Sequence, residues 1–367
     1  ADLYGGTGSC VNMVAHRVVM AAALVLTLLV TPIVRLVGRR LGIVAHPGGR
    51  HVHQGPIPRI GGVAIFAGFS AAVLVRLAGE RVLGWAPALS GAGPLAYGVL
   101  AALALMFTVG LLDDVLDLRP GHKFLGQLVA AGLAYYAGAR IDFIGDPIGG
   151  GLILLGVLSI PATLFWMAGF ANVINLIDGL DGLAAGITAI AGVSLLLLAQ
   201  QQNQMLAAVF AAALVGACLG FLRYNFHPAS IFMGDSGALF LGFTLSCVAL
   251  LGVMKSTAAI TLVVPLLVIG VPVFDTFSAI VRRRRHGRPI QEADRGHIHH
   301  RLLGRGFDQR QTVLIIYVWS VALAVGGYAM RWTPAVYRVL TFVVLAVLSG
   351  LMAYWLGLFE AAHHEDE

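Results

Sequence analysis

The residues with the clearest capacity for chemistry lie between Gly110 and Lys123: Asp113, Asp114 and Asp117, followed by Arg119, His122 and Lys123. Apolar sequence flanks them, Leu95 to Leu112 before and Phe124 to Ala139 after. Three carboxylates at the edge of such oily runs are costly unless a cation, water or a partner charge compensates them. Adjacent carboxylates repel, which raises one pKa when no cation is near. Beside a divalent cation they become ligands, or a ligand and a base. A solvated interfacial loop is the competing explanation of this stretch taken alone.

Further polar stretches accompany it. Asn172, Asn175, Asp178 and Asp181 recur every third residue, which keeps them on roughly one face of a helix or turn. Gly179 and Gly182 permit close backbone approach there. A helix cap needs one such residue, not four. Between Asn225 and Gly237, Asp235 and Ser236 sit where an apolar helix begins. Asp235 can cap that helix, and a helix N-terminus also attracts phosphate. His297, His299 and His300 stand beside Arg301. No Cys or His-Glu-x-x-His pattern completes a zinc site, and mixed His and Arg suit an anion such as pyrophosphate. The stretch His46 to Gly62, with His53 and Arg59, reads by itself as a Pro- and Gly-punctuated loop.

What must hold these groups is a membrane bundle. Of the 367 residues, 58% are hydrophobic and 11% charged, too little charge for a soluble domain of this length. Apolar runs of spanning length fall near 17–37, 60–78, 94–112, 124–140, 152–171, 182–199, 205–222, 236–254, 258–281, 311–330 and 336–358. They lack the period-2 alternation of an outer-membrane barrel. The expectation is an all-α integral membrane protein, a polytopic bundle of about eleven transmembrane helices of roughly 20 residues each.

Orientation follows from Lys and Arg. With the N-terminus outside, the inside loops near 38–59, 113–123, 172–181, 223–235 and 282–310 hold Arg39, Arg40, Arg50, Arg59, Arg119, Lys123, Arg223 and the block Arg282 to Arg285. The outer loops hold few, such as Arg81, Arg140, Lys255 and Arg331. The N-terminus is therefore expected outside and the C-terminus in the cytoplasm. Asp113, Asp114, Asp117, Asp178, Asp181, Asp235 and Asp275 then all fall at cytoplasmic helix ends, although the orientation used none of them.

Residues 1–12 read as a tag remnant or a disordered N-terminus, 13–359 as a single transmembrane catalytic domain, and 360–367 as a cytoplasmic tail. Cys10, Cys218 and Cys247 make no metal or disulfide spacing, and the last two read as packing residues. The net charge of +6 is concentrated in the arginine block, whose simplest roles are orientation and lipid head-group contact. Nothing points to nucleic acid.

Gathered on one face, these groups suit attack on a phosphate by a membrane-borne group. A cation would neutralise phosphate oxygens while a carboxylate activates or steers the nucleophile. An ion-coupled transporter is the rival from another class, since buried carboxylates also mark ion pathways. Clustering on one face rather than at mid-membrane, without an evident inverted repeat, speaks against it.

Five motifs now stand in order on the inside loops: Pro58-Arg59-x-Gly-Gly62, Asp113-Asp114-x-x-Asp117, Asn172 to Gly186, Met233-Gly-Asp-Ser-Gly237 and His297-Ile-His-His300. They resemble those of the polyprenyl-phosphate N-acetylhexosamine-1-phosphate transferases (glycosyltransferase family 4), from about Arg50 to Gln311. The chain looks most like the bacterial undecaprenyl-phosphate GlcNAc-1-phosphate branch. Where the MurNAc-pentapeptide translocases carry a Thr it has Ile177, and Ile298 interrupts their three consecutive histidines. His46 and the pair Arg50-His51 depart from the first-loop pattern of the relatives.

The resemblance implies transfer of GlcNAc-1-phosphate from UDP-GlcNAc to undecaprenyl phosphate, releasing UMP, at the cytoplasmic face of a bacterial inner membrane. UDP-MurNAc-pentapeptide or another UDP-sugar is the alternative donor. It implies Mg²⁺, with Mn²⁺ as a substitute, held by Asp235 and Asn175. Asp113 and Asp114 would deprotonate or orient the lipid phosphate. Direct attack is the preferred route, with a covalent phospho-sugar intermediate as the other. Asp117, Asn172, Asp178, Asp181 and Asn225 would serve the nucleotide. Lys123, His297, His299, His300 and Arg301 would meet pyrophosphate or sugar, with His53 and Arg59 in support. A homodimer, frequent in the family, is compatible with this reading.

Overall fold

In hydrocarbon every backbone N–H and C=O must be satisfied within its own segment, so long apolar runs fold as helices. A computed structural model describes residues 5–45, 56–145, 151–252, 266–267, 269–285, 297–330 and 334–358. The chain forms two compact units, residues 1–262 and 263–367, each described by itself.

The first unit contains α1 (Gly5–Arg40), α2 (Gly62–Val82), α3 (Pro94–Leu116), α4 (Pro120–Ala137), α5 (Ser159–Ile177), α6 (Leu183–Gln201), α7 (Met205–Asn225) and α8 (Gly234–Gly252). Two short antiparallel ladders interrupt them. β1 (Val44–Ala45) pairs with β2 (Ile57–Pro58), and β3 (Phe143–Gly145) with β4 (Leu152–Leu154). The second unit contains α9 (Gly270–Arg285), α10 (Ile298–Gly304), α11 (Gln309–Ala329) and α12 (Ala335–Leu356). The chain is a polytopic helical membrane protein: among the described residues, nine helical segments are long and apolar enough to cross a bilayer. The expected span 124–140 corresponds to α4, which falls outside those nine, and much of 258–281 lies outside the described residues.

Helix α8 is the post of the first unit. Every residue from Ser236 to Gly252 is buried, and α2, α3, α5, α6 and α7 all pack on it. Phe66 stacks on Phe107 at 4.1 Å, and Phe240 of α8 meets Phe66 and Phe69 edge-on at 5.4 and 5.3 Å. Where α8 begins, glycines let backbones touch. A Cβ on Gly62 would stand 2.1 Å from the Gly237 nitrogen, and one on Gly110 would stand 2.5 Å from the Asp235 carbonyl oxygen.

Several expected boundaries shift. Helix α1 begins at Gly5, so residues 5–12 are helical rather than a disordered end. Residues 152–154 pair with β3, and α5 starts only at Ser159. The expected loops 113–123 and 172–181 are mostly helix. Helix α3 runs on to Leu116 and stops because Asp117 adopts the left-handed conformation (φ 47°), its N–H returning to Asp113 O. Pro120 then opens α4, where a missing N–H costs nothing.

Candidate functional site

The end of the first unit where α3, α5 and α7 finish and α4 and α8 begin carries most of the chemistry-bearing residues. Asp113 and Asp114 occupy the last turn of α3, Lys123 the first turn of α4, Asn175 the last turn of α5, and Asp235 the first turn of α8. Helix ends leave backbone groups and side chains facing each other there, so residues remote in sequence meet.

Lys123 is the hub. Its ammonium lies 2.9 Å from Asp113 Oδ2 and also forms an ion pair with Asp235 Oδ2. Asn175 Nδ2 donates to Asp235 Oδ1 at 2.7 Å, and the Leu118 N–H donates to Asp113 Oδ1 at 3.0 Å. Two carboxylates that would repel are thus held together by one cation. The side chains of Asp113, Lys123, Asn175 and Asp235 are half-buried.

Asp114 does something different. Its two oxygens accept the backbone N–H groups of Asp235 and Ser236, at 2.7 and 3.0 Å, and it is buried. It was expected beside Asp113 as an activating group. The structure commits both of its oxygens to the N-terminus of α8. Gly234, at φ 72°, sits against that carboxylate.

The neighbouring loop is built similarly. Asp181 Oδ2 accepts the Ala229 N–H at 3.0 Å and lies 2.8 Å from His227 Nδ1. Asn225 is buried and works as a strut, accepting from the Gly182 N–H at 3.1 Å and donating to Ile231 O at 3.0 Å. Asn172 pairs with buried Gln127 of α4, donating to its Oε1 at 2.6 Å. These two asparagines were expected to line the nucleotide pocket. They brace helices because a buried carboxamide must satisfy both donor and acceptor. Asp178, half-buried, has no side-chain hydrogen bond among the described residues. Burial, then repulsion from Asp235, Asp114 and Asp181, pushes its pKa up to about 8. Arg59 reaches Asp117 at 3.0 Å on the exposed rim. His53 lies outside the described residues.

The donor set around Lys123 is oxygen-rich: Asp113 and Asp235, with the Asn175 amide beside Asp235. That chemistry fits a hard divalent cation, which typically takes one or two carboxylates together with substrate phosphates rather than a cage of protein ligands. Among the described residues no three His, Cys, Asp or Glu side chains converge.

The remaining expected site residues belong to the second unit. His297 Nδ1 lies 3.0 Å from Asp275 Oδ2, and its ring is parallel to that of His299 at 5.8 Å between centroids. His300 approaches the His299 ring at 4.3 Å. His299 is buried, and burial, then the charge of His300, lowers its pKa to about 3. Arg301 was expected on pyrophosphate. It reaches Leu356 O at 3.5 Å, while Arg305 donates to Trp355 O and Arg282 to Leu358 O. Three arginines thus gather at the C-terminal end of α12, whose last carbonyls have no intrahelical partner. Sequence reasoning passed over Gln127, His227 and the role of Asp275. Gln127 lies one turn beyond Lys123 on the same face of α4, which was the available signal.

The profile of Glycosyl transferase family 4 matches residues 96–253, from α3 to the end of α8. The chain is 36% identical over 347 residues to the "Probable undecaprenyl-phosphate N-acetylglucosaminyl 1-phosphate transferase" of Bacillus subtilis, covering 95% of this chain and 94% of that one. It is 38% identical over 351 residues to the "Decaprenyl-phosphate N-acetylglucosaminephosphotransferase" of Mycolicibacterium smegmatis, covering 88% and 83%. It is also 35% identical over 351 residues to the "Phospho-N-acetylmuramoyl-pentapeptide-transferase" of Desulforudis audaxviator, covering 86% and 98%.

Proposed function

The chain belongs to glycosyl transferase family 4, and from that premise we propose that it transfers GlcNAc-1-phosphate from UDP-GlcNAc to undecaprenyl phosphate. The products are undecaprenyl-diphosphate-GlcNAc and UMP, the first membrane step of a cell-envelope glycan. The observation that carries the reading is the Lys123 ammonium held between Asp113 and Asp235, with Asn175 on the other Asp235 oxygen. One ammonium between two carboxylates leaves this site, at a helix N-terminus, with net negative charge, which suits a divalent cation arriving with a diphosphate.

In this reading Asp113 takes the proton of the lipid phosphate or steers its oxygen towards the phosphorus that bears the sugar. The new P–O bond forms as the P–O bond to UMP breaks. Lys123 pairs with phosphate oxygens as they arrive. Asp235 and Asn175 would hold Mg²⁺, which would supply positive charge to offset that of the diphosphate and its leaving group. Asp114 keeps Asp235 in place. Asp178 and Asp181 face the nucleotide. The apolar runs support about eleven spans, and the Lys and Arg distribution an N-terminus outside, which puts the site on the cytoplasmic face.

Two relatives named for GlcNAc and the residues Ile177 and Ile298 support the GlcNAc donor. The Desulforudis audaxviator relative, nearly as similar, keeps UDP-MurNAc-pentapeptide as the second reading. The test is UMP release by the detergent-purified protein with undecaprenyl phosphate, UDP-GlcNAc and Mg²⁺, with and without EDTA. Lipid-dependent release that EDTA abolishes is expected. Release only with another UDP-sugar overturns the donor, and no release with any of them brings the ion-coupled transporter forward.

A further inference from the structure

Asp275 is a buried carboxylate of α9 that no motif assigned to the reaction. Both of its oxygens are engaged. Oδ1 accepts the Ile298 N–H at 2.8 Å, and Oδ2 meets His297 Nδ1 at 3.0 Å. His297 is itself buried, 7% exposed, and its ring lies within 3° of parallel to that of His299.

A carboxylate can only accept, so Nδ1 of His297 must carry the proton. The neutral ring is then fixed as the Nδ1–H tautomer, with Nε2 left as the nitrogen available to another partner. The same carboxylate also holds the peptide that follows His297, so ring and backbone are anchored by one group. Two anchors leave the imidazole little freedom to turn, which is how carboxylates orient working histidines elsewhere.

We propose that Asp275 is a positioning residue for the reaction: it sets the tautomer and direction of His297, which on the reading above meets the diphosphate or sugar of the donor. The proposal rests on that reading for the partner of His297, and on the two hydrogen bonds for the positioning.

The experiment is a double-mutant cycle on the full-length protein. UMP release is measured as kcat and KM for the UDP-sugar that the wild type uses, in wild type, Asp275→Asn, His297→Gln and the double variant, with Tm alongside. Asp275→Asn is expected to lower kcat/KM by roughly 10- to 100-fold. The double variant is expected to be no worse than His297→Gln alone, because Asp275 acts through His297. A merely structural carboxylate would lower Tm while the two activity losses multiplied, and that result overturns the proposal. Wild-type kcat/KM in Asp275→Asn overturns it as well. Since losing a buried carboxylate can prevent folding, Asp275→Glu is made in parallel. It keeps the charge but displaces it by one methylene, and its activity loss should likewise vanish in the His297→Gln background. No UMP release from the wild type with any UDP-sugar overturns the reading of the reaction instead, so the two failures are distinct.

Discussion

Asp114 of α3 caps the first turn of α8, its two carboxylate oxygens accepting the N–H groups of Asp235 and Ser236. A cap is usually supplied by the residue just before the helix. Here that residue is Met233, whose side chain has no oxygen to accept the N–H groups, and the cap comes from another helix instead. The two adjacent aspartates of α3 therefore divide the work, Asp114 fixing the frame and Asp113 facing Lys123.

That division predicts different phenotypes for the two. Asp114→Asn keeps one accepting oxygen and should destabilise the protein by about 1–2 kcal/mol, the worth of a good helix cap. Its Tm should fall together with its UMP release. Asp113→Asn should leave Tm within about 1 °C while reducing UMP release on the order of 10²-fold or more. Thermal melts of both variants in one detergent, beside the activity assay, check it. An Asp114→Asn protein with full activity and unchanged Tm would remove the capping role.

Lys123→Met should leave Asp113 and Asp235 facing each other without a cation. Activity is expected to drop on the order of 10²-fold. Lys123→Arg should recover part of it, since the charge returns but the fork does not match a site shaped for an ammonium. The ratio of the two residual rates is the measurement, and equal rates would mean that charge at this point is irrelevant.

Gly234→Ala should abolish folded protein. The added Cβ would meet Arg59 O at 2.0 Å and both Asp114 oxygens within 2.7 Å, at φ 72°. The left-handed backbone alone costs roughly 1–2 kcal/mol for an L-residue. Size-exclusion chromatography should show aggregate in place of a monodisperse peak.

His299 gives a pH signature. Its folded pKa of about 3 lies below the ordinary value of 6.5, so between these values the unfolded chain binds the proton and the folded one does not. Stability should therefore fall as pH is lowered through that window. The groups packed around it, His297, His300 and Asp275, remain in His299→Gln. Tm measured at pH 7.5, 6 and 5 should decline less in His299→Gln than in wild type, because the opposing titration of Asp178 is common to both. Parallel curves would show that His299 does not titrate this way.

Much of this was visible in the residues alone. The helical, membrane-spanning character and the placement of most helices follow from apolar runs, and the meeting of Asp113, Lys123, Asn175 and Asp235 follows from putting three loops on one side. What spacing could not tell was which partner each polar group would choose. Asn172 and Asn225 have the types and intervals of ligand-binding residues, yet each is consumed by bonds to Gln127, Gly182 and Ile231. Arg76, embedded in the apolar run 60–78, is fully buried and paired with Glu80 at 3.2 Å, with the Trp85 ring 5.5 Å away. A pattern of hydrophobicity cannot show that a charge has been neutralised one turn along. The arginines on the end of α12 were equally hidden, since nothing in their sequence says that the carbonyls they serve lie some fifty residues on.

Helix α8, enclosed by five others, has a bearing on how the protein is made. It is the least apolar of the candidate spans and keeps no face for lipid. It follows α1 to α7 in the chain, and the surfaces that bury it all belong to helices made before it. Its first turn brings Asp235 and receives its cap from α3 at the same moment. The cluster of Asp113, Lys123, Asn175 and Asp235 is therefore completed only by the arrival of α8.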